Sequence, residues 1–502
     1  MFNLKEIFSP TAKKKGMLSC DEAAKLLATS PEALEAFEKA YAAHALQPEA
    51  IDDNFFGVNS RQAAAIKHSQ DADSDTERLP EELIERIVTE LVAQTKLYVY
   101  DGKSASTKTF PMLPEDTTLV TNADINRLPE KFRPDLTGEL MKVDIGEPSY
   151  PALLYYYQQY AYNPKLNPKK RMMMYNMFRQ GLDILDLDEI TYEIIGRNNN
   201  SMGHWLPQLV EACQNQKFFK IPATTVAKVP LTLLQLTRQS YTDLSPTTLA
   251  IVDRWAMKVF GLDVDKDYFI KTGTYSSKFD FRNCHVIGKS EVETLGEYLL
   301  FIHFQALQMA SPLSVPTIFG ACTTNEWAVR EFIPDKENNP CIYKGLPLHT
   351  EYRAFVDCDE GTVLNVFPYW DAETMLNRFS KGEDANTPHQ KHDYVVYKAH
   401  QAVLECRFNE NVERVRKHLE AIMPELHLSG QWSIDIMQNG NDFWIIDMAL
   451  AQDSAFYNKV PTELRKQTEQ HWLPEYKVPM AYELQMVKKG AHNENLHGSR
   501  IK

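Results

Sequence analysis

No CxxC pair occurs in this sequence. Its seven cysteines (Cys20, Cys213, Cys284, Cys322, Cys341, Cys358 and Cys406) are odd in number and scattered, so neither a zinc knuckle nor a disulfide scaffold is indicated. A reducing cytoplasm is the simplest home for such a set. No apolar run is long enough to span a bilayer, and the opening residues, MFNLKEIFSPTAKKKG, lack the apolar core of a signal peptide. Positive charge is also in short supply: 54 Lys and Arg stand against 68 Asp and Glu, for a formal net charge of −14. A surface of that sign repels nucleic acid phosphates and anionic membranes, so neither is an expected partner. The Walker phosphate-loop spacing is missing. No internal repeat is found, and no Cys or Ser stands out as a nucleophile.

What is present is a chain of 502 residues, 43% hydrophobic and 24% charged, the balance of a globular protein. That length leaves room for two or three cores. Residues 1–75 read as a helical N-terminal region ending in a polar, acidic linker, HSQDADSDTER. Helix formers with an apolar stripe run from Cys20 to Leu27 and from Pro31 to Phe37, each behind a serine suited to cap it, Ser19 and Ser30. Residues 76–260 read as mainly helical, with a helix from Pro80 to Gln94, a strand-like LYVYDG, and the aromatic and Met-rich runs LLYYYQQYAY and RMMMYNMF. Such stripes are core far more often than ligand boxes. The segment GRNNNSMGHW at 196–205 reads as a polar turn between helices.

After residue 261 short β-rich runs take over: DYFIKTG, AVREFI, EYRAFVD, TVLNVFPYW, QWSIDIM and DFWIIDMAL, with helical stretches at 290–310 and 395–423. The fold class is therefore α+β, with a sheet-bearing module at 261–484, a mainly helical N-terminal half, and a polar tail at 485–502. His389 and His392, three apart in TPHQKHDY, could bind a metal but have no third partner, so a solvated loop is the reading there.

The chemistry concentrates in three places. QWSIDIM and DFWIIDMAL form a hairpin. Alternation puts Ser433, Asp435 and Met437 on one face of the first strand and Phe443, Ile445, Asp447 and Ala449 on one face of the second. A three-residue loop at Gly440-Asn441-Asp442 sets Asp435 opposite Asp447, whereas a two-residue Asn-Gly turn separates them. Two carboxylates so paired repel unless a proton or a cation sits between them, and replacing Asp447 by Asn is expected to relieve that repulsion. Oxygen-only ligation of this kind suits Mg²⁺, completed by phosphate and water. In His349–Val356, Glu351 and Arg353 share one face and Tyr352, Ala354 and Val356 the other. The polar pair reads either as a surface ion pair or as an Arg aimed at phosphate, with Glu351 holding it or touching metal or ribose. In Phe269–Lys278 a strand ends in Lys271, and a small-residue loop through Gly273 leads to a second lysine, Lys278, a pattern able to cradle phosphate.

Taken in order, the Lys-ended strand, the small-residue loop, the VREFIP strand, the TEYRAFV strand and the two acidic strands resemble the ATP-grasp superfamily over residues 261–460. The texture is most similar to the branch of uncharacterised bacterial and phage ATP-grasp proteins, and to the eukaryotic cell-division-cycle ATP-grasp assembly factor. The resemblance implies that ATP is clasped between two antiparallel sheets. It implies Lys271 on the α/β-phosphates, with Lys278 or the Gly273 loop over the β/γ-phosphates. Backbone near Glu331, Phe332 and Ile333 would meet adenine, Arg353 the γ-phosphate or an acyl-phosphate, and Asp435 and Asp447 would carry Mg²⁺. It implies an ATP- and Mg-dependent carboxylate–amine ligase, with a peptide or protein among the candidate substrates. The sequence departs from the pattern at Ala449, where such proteins carry Asn two residues after the second acid; Gln452 or Asp453 could substitute. Ser433 stands where typical ligases have Arg, leaving that role to Arg353 or Arg330. The departure at Ala449 points to an alternative, an ATP-binding assembly or regulatory protein without turnover.

Overall fold

Apolar side chains recurring at helical spacing define the first elements of the computed structural model. It describes residues 20–45, 81–109, 163–184, 194–238, 246–309, 323–380 and 388–466, with Gln159, Tyr160, Leu187, Tyr192 and Leu244 between them. Helices α1 (Cys20–Ala28) and α2 (Pro31–Ala45) are separated by Ser30, whose hydroxyl accepts the Ala33 N–H at 3.2 Å, an N-cap. Helix α3 (Glu81–Ala93) opens on Glu81 and Glu82 and buries Leu83, Ile84, Ile87, Val88 and Leu91, one stripe three to four residues apart. The expected linker at 68–78, the Ser19 cap, residues 110–158 and the tail at 485–502 lie outside the described residues.

The chain continues through β1 (Lys96–Tyr100), β2 (Ala105–Thr109), α4 (Pro168–Ile184), α5 (Met202–Ala212), β3 (Phe219–Lys220) and β4 (Thr224–Lys228). Then come α6 (Leu231–Gln235), α7 (Pro246–Phe260), β5 (Tyr268–Thr272), β6 (His285–Val286), α8 (Gly288–Glu293), α9 (Leu295–Met309) and β7 (Glu326–Glu331). The last part runs β8 (Cys341–Ile342), β9 (Leu346–Pro347), β10 (Thr350–Asp357), β11 (Thr362–Pro368), α10 (Ala372–Ser380), α11 (Pro388–Ile422), β12 (Gln431–Asn439) and β13 (Asp442–Leu450). The mixture of helices with antiparallel sheets is α+β. The helix expected at 395–423 begins earlier, so His392 is helical rather than in a loop. It is buried, hydrogen-bonded through Nδ1 to Asp393 at 2.9 Å and stacked on Phe37.

Among the described residues the strands form two main sheets. The first runs β2-β1-β4-β7-β5-β6 and is antiparallel throughout; the second runs β11-β10-β12-β13-β3, antiparallel except for the short parallel β13/β3 pair. Strands from before residue 260 thus enter both sheets, and the cleft between them draws on more of the chain than the 261–484 module. Alternation decides what each sheet face does. On β5 and β7, Ile270, Trp327 and Val329 point into a core shared with α3, α4, α7 and α9. On β10 and β12, Tyr352, Ala354, Val356, Trp432, Ile434 and Ile436 point into a second core with α5 and α11. In α4, Tyr175 and Phe178 of the Met-rich run are core residues, as expected. Among the described residues no helix is long and apolar enough to cross a membrane.

Candidate functional site

The remaining strand faces carry the charged residues. Lys271 is the neighbour of core residue Ile270 on β5, and Arg330 follows Val329 on β7, so both project from the first sheet away from its helices. Glu351 and Arg353 on β10 and Asp435 on β12 project likewise from the second. The space between is a cleft of about 850 Å³ counting its open mouth, within the range of ligand sites. Lys271, Lys278, Arg330, Glu331, Phe332, Ile333, Glu351, Asp435 and Asp447 all line it. Its apolar part is made by Phe269, Phe281, Leu346, Met437 and Ile446 together with Phe332. His285 stacks on Phe332 with ring centroids 3.7 Å apart.

Asp435 and Asp447 are direct partners across β12 and β13. They arrive there by a route other than the expected three-residue loop. Asn439 pairs with Asp442 around a two-residue turn, with Gly440 at φ +63°, and a bulge follows in which the ladder steps from Ile436↔Ile445 to Asp435↔Asp447. The extra residue, Ile446, restores the opposition that the short turn alone would remove. It also reverses the alternation. Phe443 and Ile445 face the second core together with Met448 and Leu450, not together with Asp447 and Ala449.

Each carboxylate has a cation. Lys271 Nζ donates to Asp447 Oδ1 at 2.8 Å; the lysine is 2% exposed and Asp447 39%. Arg353 grips Asp435 with both edges of a fork, Nε to Oδ1 at 2.8 Å and Nη2 to Oδ2 at 2.6 Å. Burial works against the charge of Asp447, but Lys271 and Arg330 outweigh it and hold the carboxyl below its ordinary range. Burial lowers Lys271, which Asp447 opposes, and lowers Arg330 to about 10. Arg330 donates to the carbonyl of Ile446, the bulge residue. Lys278, against its burial, is raised by Tyr369, Glu351 and Asp435.

Glu351 does not hold Arg353; Asp435 does. Glu351 is 6% exposed, its Oε2 has no hydrogen-bond partner among the described residues, and burial pushes its carboxyl up to about 7. Gly273 is not brought to the cleft wall. Its N–H donates to Glu326 O at 2.8 Å and its carbonyl accepts from Met202 N at 2.9 Å. A Cβ there would sit 2.7 Å from Thr324 Oγ1, so the glycine serves close packing of the loop on β7. Glu331 N and Phe332 N donate to the carbonyls of Ala223 and Asp267, at 3.0 and 3.2 Å. Asp453 accepts from Asn200 Nδ2 at 2.8 Å. The polar segment at 196–205 is more than a turn: Asn198 bonds Thr323, Ser201 bonds Thr324, and Asn200 Oδ1 accepts the Leu450 N–H at 2.7 Å, tying both sheets together. Sequence reasoning missed that role, although a run of three asparagines was its signal. Tyr369 was missed as well, and nothing in its local pattern marks it.

Two opposed carboxylates, three cations, a fourth (Arg353) bonded to Asp435, and an apolar recess define a site suited to a polyphosphate carrying a flat base. No family model matches the chain, and no curated protein matches it. Among solved structures, C-terminally truncated Cdc123 from Schizosaccharomyces pombe is similar at 13% identity and a TM-score of 0.31, over 55% of this chain and 94% of its own. Cdc123 from the same organism is similar at 14% identity and a TM-score of 0.28, over 55% and 89%. Neither neighbour bears on the bacterial and phage branch of the ATP-grasp resemblance, and a likeness this loose assigns no activity.

Proposed function

We propose that the chain is an ATP- and Mg²⁺-dependent carboxylate–amine ligase working through an acyl-phosphate. The observation that carries the reading is the convergence of Lys271, Lys278 and Arg330 with the opposed Asp435 and Asp447 in one cleft that ends in an apolar recess, with Arg353 gripping Asp435 of its wall. The recess between Phe269, Phe281, Phe332 and Ile446 fits a purine, and the cations fit its phosphates. The donor set also fits Mg²⁺. Among the described residues no group of three or more His, Cys, Asp or Glu is placed to hold a metal, but this ion needs only one or two carboxylates when phosphate and water complete its shell. Asp435 and Asp447 would hold it, and when bound it supplies charge neutralisation at the phosphates.

The chain's own residues do the rest. Lys271 would contact the α/β-phosphates and Lys278 the β/γ-phosphates, while Arg353 would face the phosphoryl group in transfer. The carboxylates that now share their charge with Lys271 and Arg353 would turn to the metal, freeing those cations for phosphate oxygens. A substrate carboxylate oxygen would attack the γ-phosphorus and release ADP; an amine would then attack the acyl carbon and expel phosphate. Preorganised positive charge is the main contribution such a site makes.

Ala449 favours a second reading, because it offers no metal ligand where such proteins have Asn, and Asp453 is engaged by Asn200. Under it the chain holds ATP as an assembly or regulatory protein. Labelled ATP, Mg²⁺ and host-cell extract incubated with the full chain separate the two. The ligase gives little turnover alone, and ADP with a new conjugate once both substrates are present. Intact ATP throughout, despite calorimetric binding, supports the second reading. AMP excludes the acyl-phosphate route, and a folded chain that binds no ATP sinks both.

A further inference from the structure

Lys278, which lines the cleft, and Arg353, which grips Asp435 of its wall, also share one uncharged side chain. Lys278 Nζ donates to the Tyr369 hydroxyl and lies 4.1 Å from the centre of its ring. The Arg353 guanidinium carbon lies 4.6 Å from the same ring and 6.0 Å from that of Phe456 on its other side. Tyr369 is itself anchored: its backbone N–H donates to Glu351 O at 2.9 Å, and its ring meets Trp370 edge-on at 5.1 Å. Phe456 sits at φ +73°, a left-handed conformation that non-glycine residues adopt at a cost.

Two like charges on one ring repel. The usual remedy is an acid, as Asp447 is for Lys271. An aromatic face attracts both cations through its quadrupole but cancels neither charge. Among the described residues Lys278 makes no ion pair, and Arg353 gives Nε and Nη2 to Asp435 while Nη1 makes no hydrogen bond. The pair is thus spaced, and the carboxylates it now faces, Glu351 and Asp435, are ones that Mg²⁺ and phosphate would displace.

We propose that Tyr369 is a positioning residue that fixes the separation of Lys278 and Arg353, so that together they recognise the terminal phosphoryl group of a nucleoside triphosphate. This rests on the nucleotide reading above. The first pair of cations, Lys271 and Arg330, lies against Asp447 and the Ile446 carbonyl and would meet the inner phosphates, which a diphosphate also has. Discrimination between tri- and diphosphate then falls to the Tyr369 pair.

Calorimetry of the full chain with Mg·ATP and Mg·ADP tests this without any knowledge of the acceptor. Wild type is expected to prefer ATP. Tyr369→Leu should bring ATP affinity down to that of ADP, a loss of preference of about tenfold or more, with ADP affinity held within about twofold. Tyr369→Phe keeps the ring and should lose only about threefold. An unchanged ATP-to-ADP ratio in Tyr369→Leu overturns the proposal, and so does an equal fall for both nucleotides, which marks a merely structural ring. If Tyr369→Leu does not fold, Tyr369→Phe decides, since an unaltered ratio there removes the Lys278 contact from the argument and the proposal with it. Wild type that binds ATP and ADP alike overturns this role while leaving the nucleotide site standing; wild type that binds neither removes both.

Discussion

Asp447 shows how a structure can reverse an expectation at the level of one residue. Facing Asp435 alone, it reads as one half of a repulsive pair, and Asp447→Asn should then stabilise the chain. In the fold it neutralises Lys271, which is 2% exposed. The substitution would strand a buried cation, so Asp447→Asn is expected to lower stability by roughly 1–2 kcal/mol, less than for a wholly buried pair because the carboxylate is partly exposed. It should also weaken Mg·ATP binding. Chemical denaturation and calorimetry measure the two effects. A variant more stable than wild type would mean that repulsion between the acids dominates, and unaltered Mg·ATP binding would make the carboxylate purely structural.

The hairpin that carries both acids was legible as two strands, and their opposition was legible too, but only through a loop that does not form. The real register depends on a bulge, and a bulge leaves no mark in apolar alternation because Ile446 reads like any other strand residue. Deleting Ile446 should regularise the ladder and keep Asp435 opposite Asp447. It removes the carbonyl that Arg330 bonds and a wall of the apolar recess. The expected result is a native circular dichroism spectrum with Mg·ATP affinity reduced about tenfold, near the cost of one charge-assisted hydrogen bond. Full affinity in the deletion variant would show that the bulge only sets register. Strands β5, β7, β10, β12 and β13 were all readable, whereas β3 and β4 were not. Two-residue β3 is too short to display a period, β4 (TTVAK) has too few large apolar residues to mark a face, and β2, exposed at every position, has no apolar face to display. The places of β3 and β4 come from partners far along the chain, which no local window contains.

At the scale of the molecule, the first sheet, the loop after β5 and α5 meet around Glu326. Its carboxylate accepts the Gly203 N–H at 2.9 Å in the first turn of α5. Burial pushes the carboxyl from its ordinary 4.5 up to about 7, against the pull of Gly203 N–H and Lys228. A raised value means that the folded chain holds this proton more tightly than the unfolded one. The contribution is therefore complete below about pH 4.5 and is lost as pH rises through about 7. Glu326→Gln, whose amide oxygen can still accept from Gly203, should flatten that decline, melting above wild type at pH 8 but not at pH 5. Thermal melts across that range check it. A wild type that gains on the variant with rising pH would show the carboxylate to be ionised in place.

The asparagine-rich segment at 198–202 has a mechanical consequence. It grips the Gly273 loop and Thr323–Thr324 on one side and the end of β13 on the other, so one end of the cleft is riveted. The opposite end of the β12/β13 hairpin is fastened too: Asn439 Nδ2 donates to the Pro334 carbonyl, Asn439 Oδ1 accepts the Lys336 N–H, and Lys336 Nζ pairs with Asp442. The hairpin that carries both acids is therefore bolted to the flanks of β7 at its two ends, like a beam on two brackets, and Asp435 and Asp447 sit on the span between them.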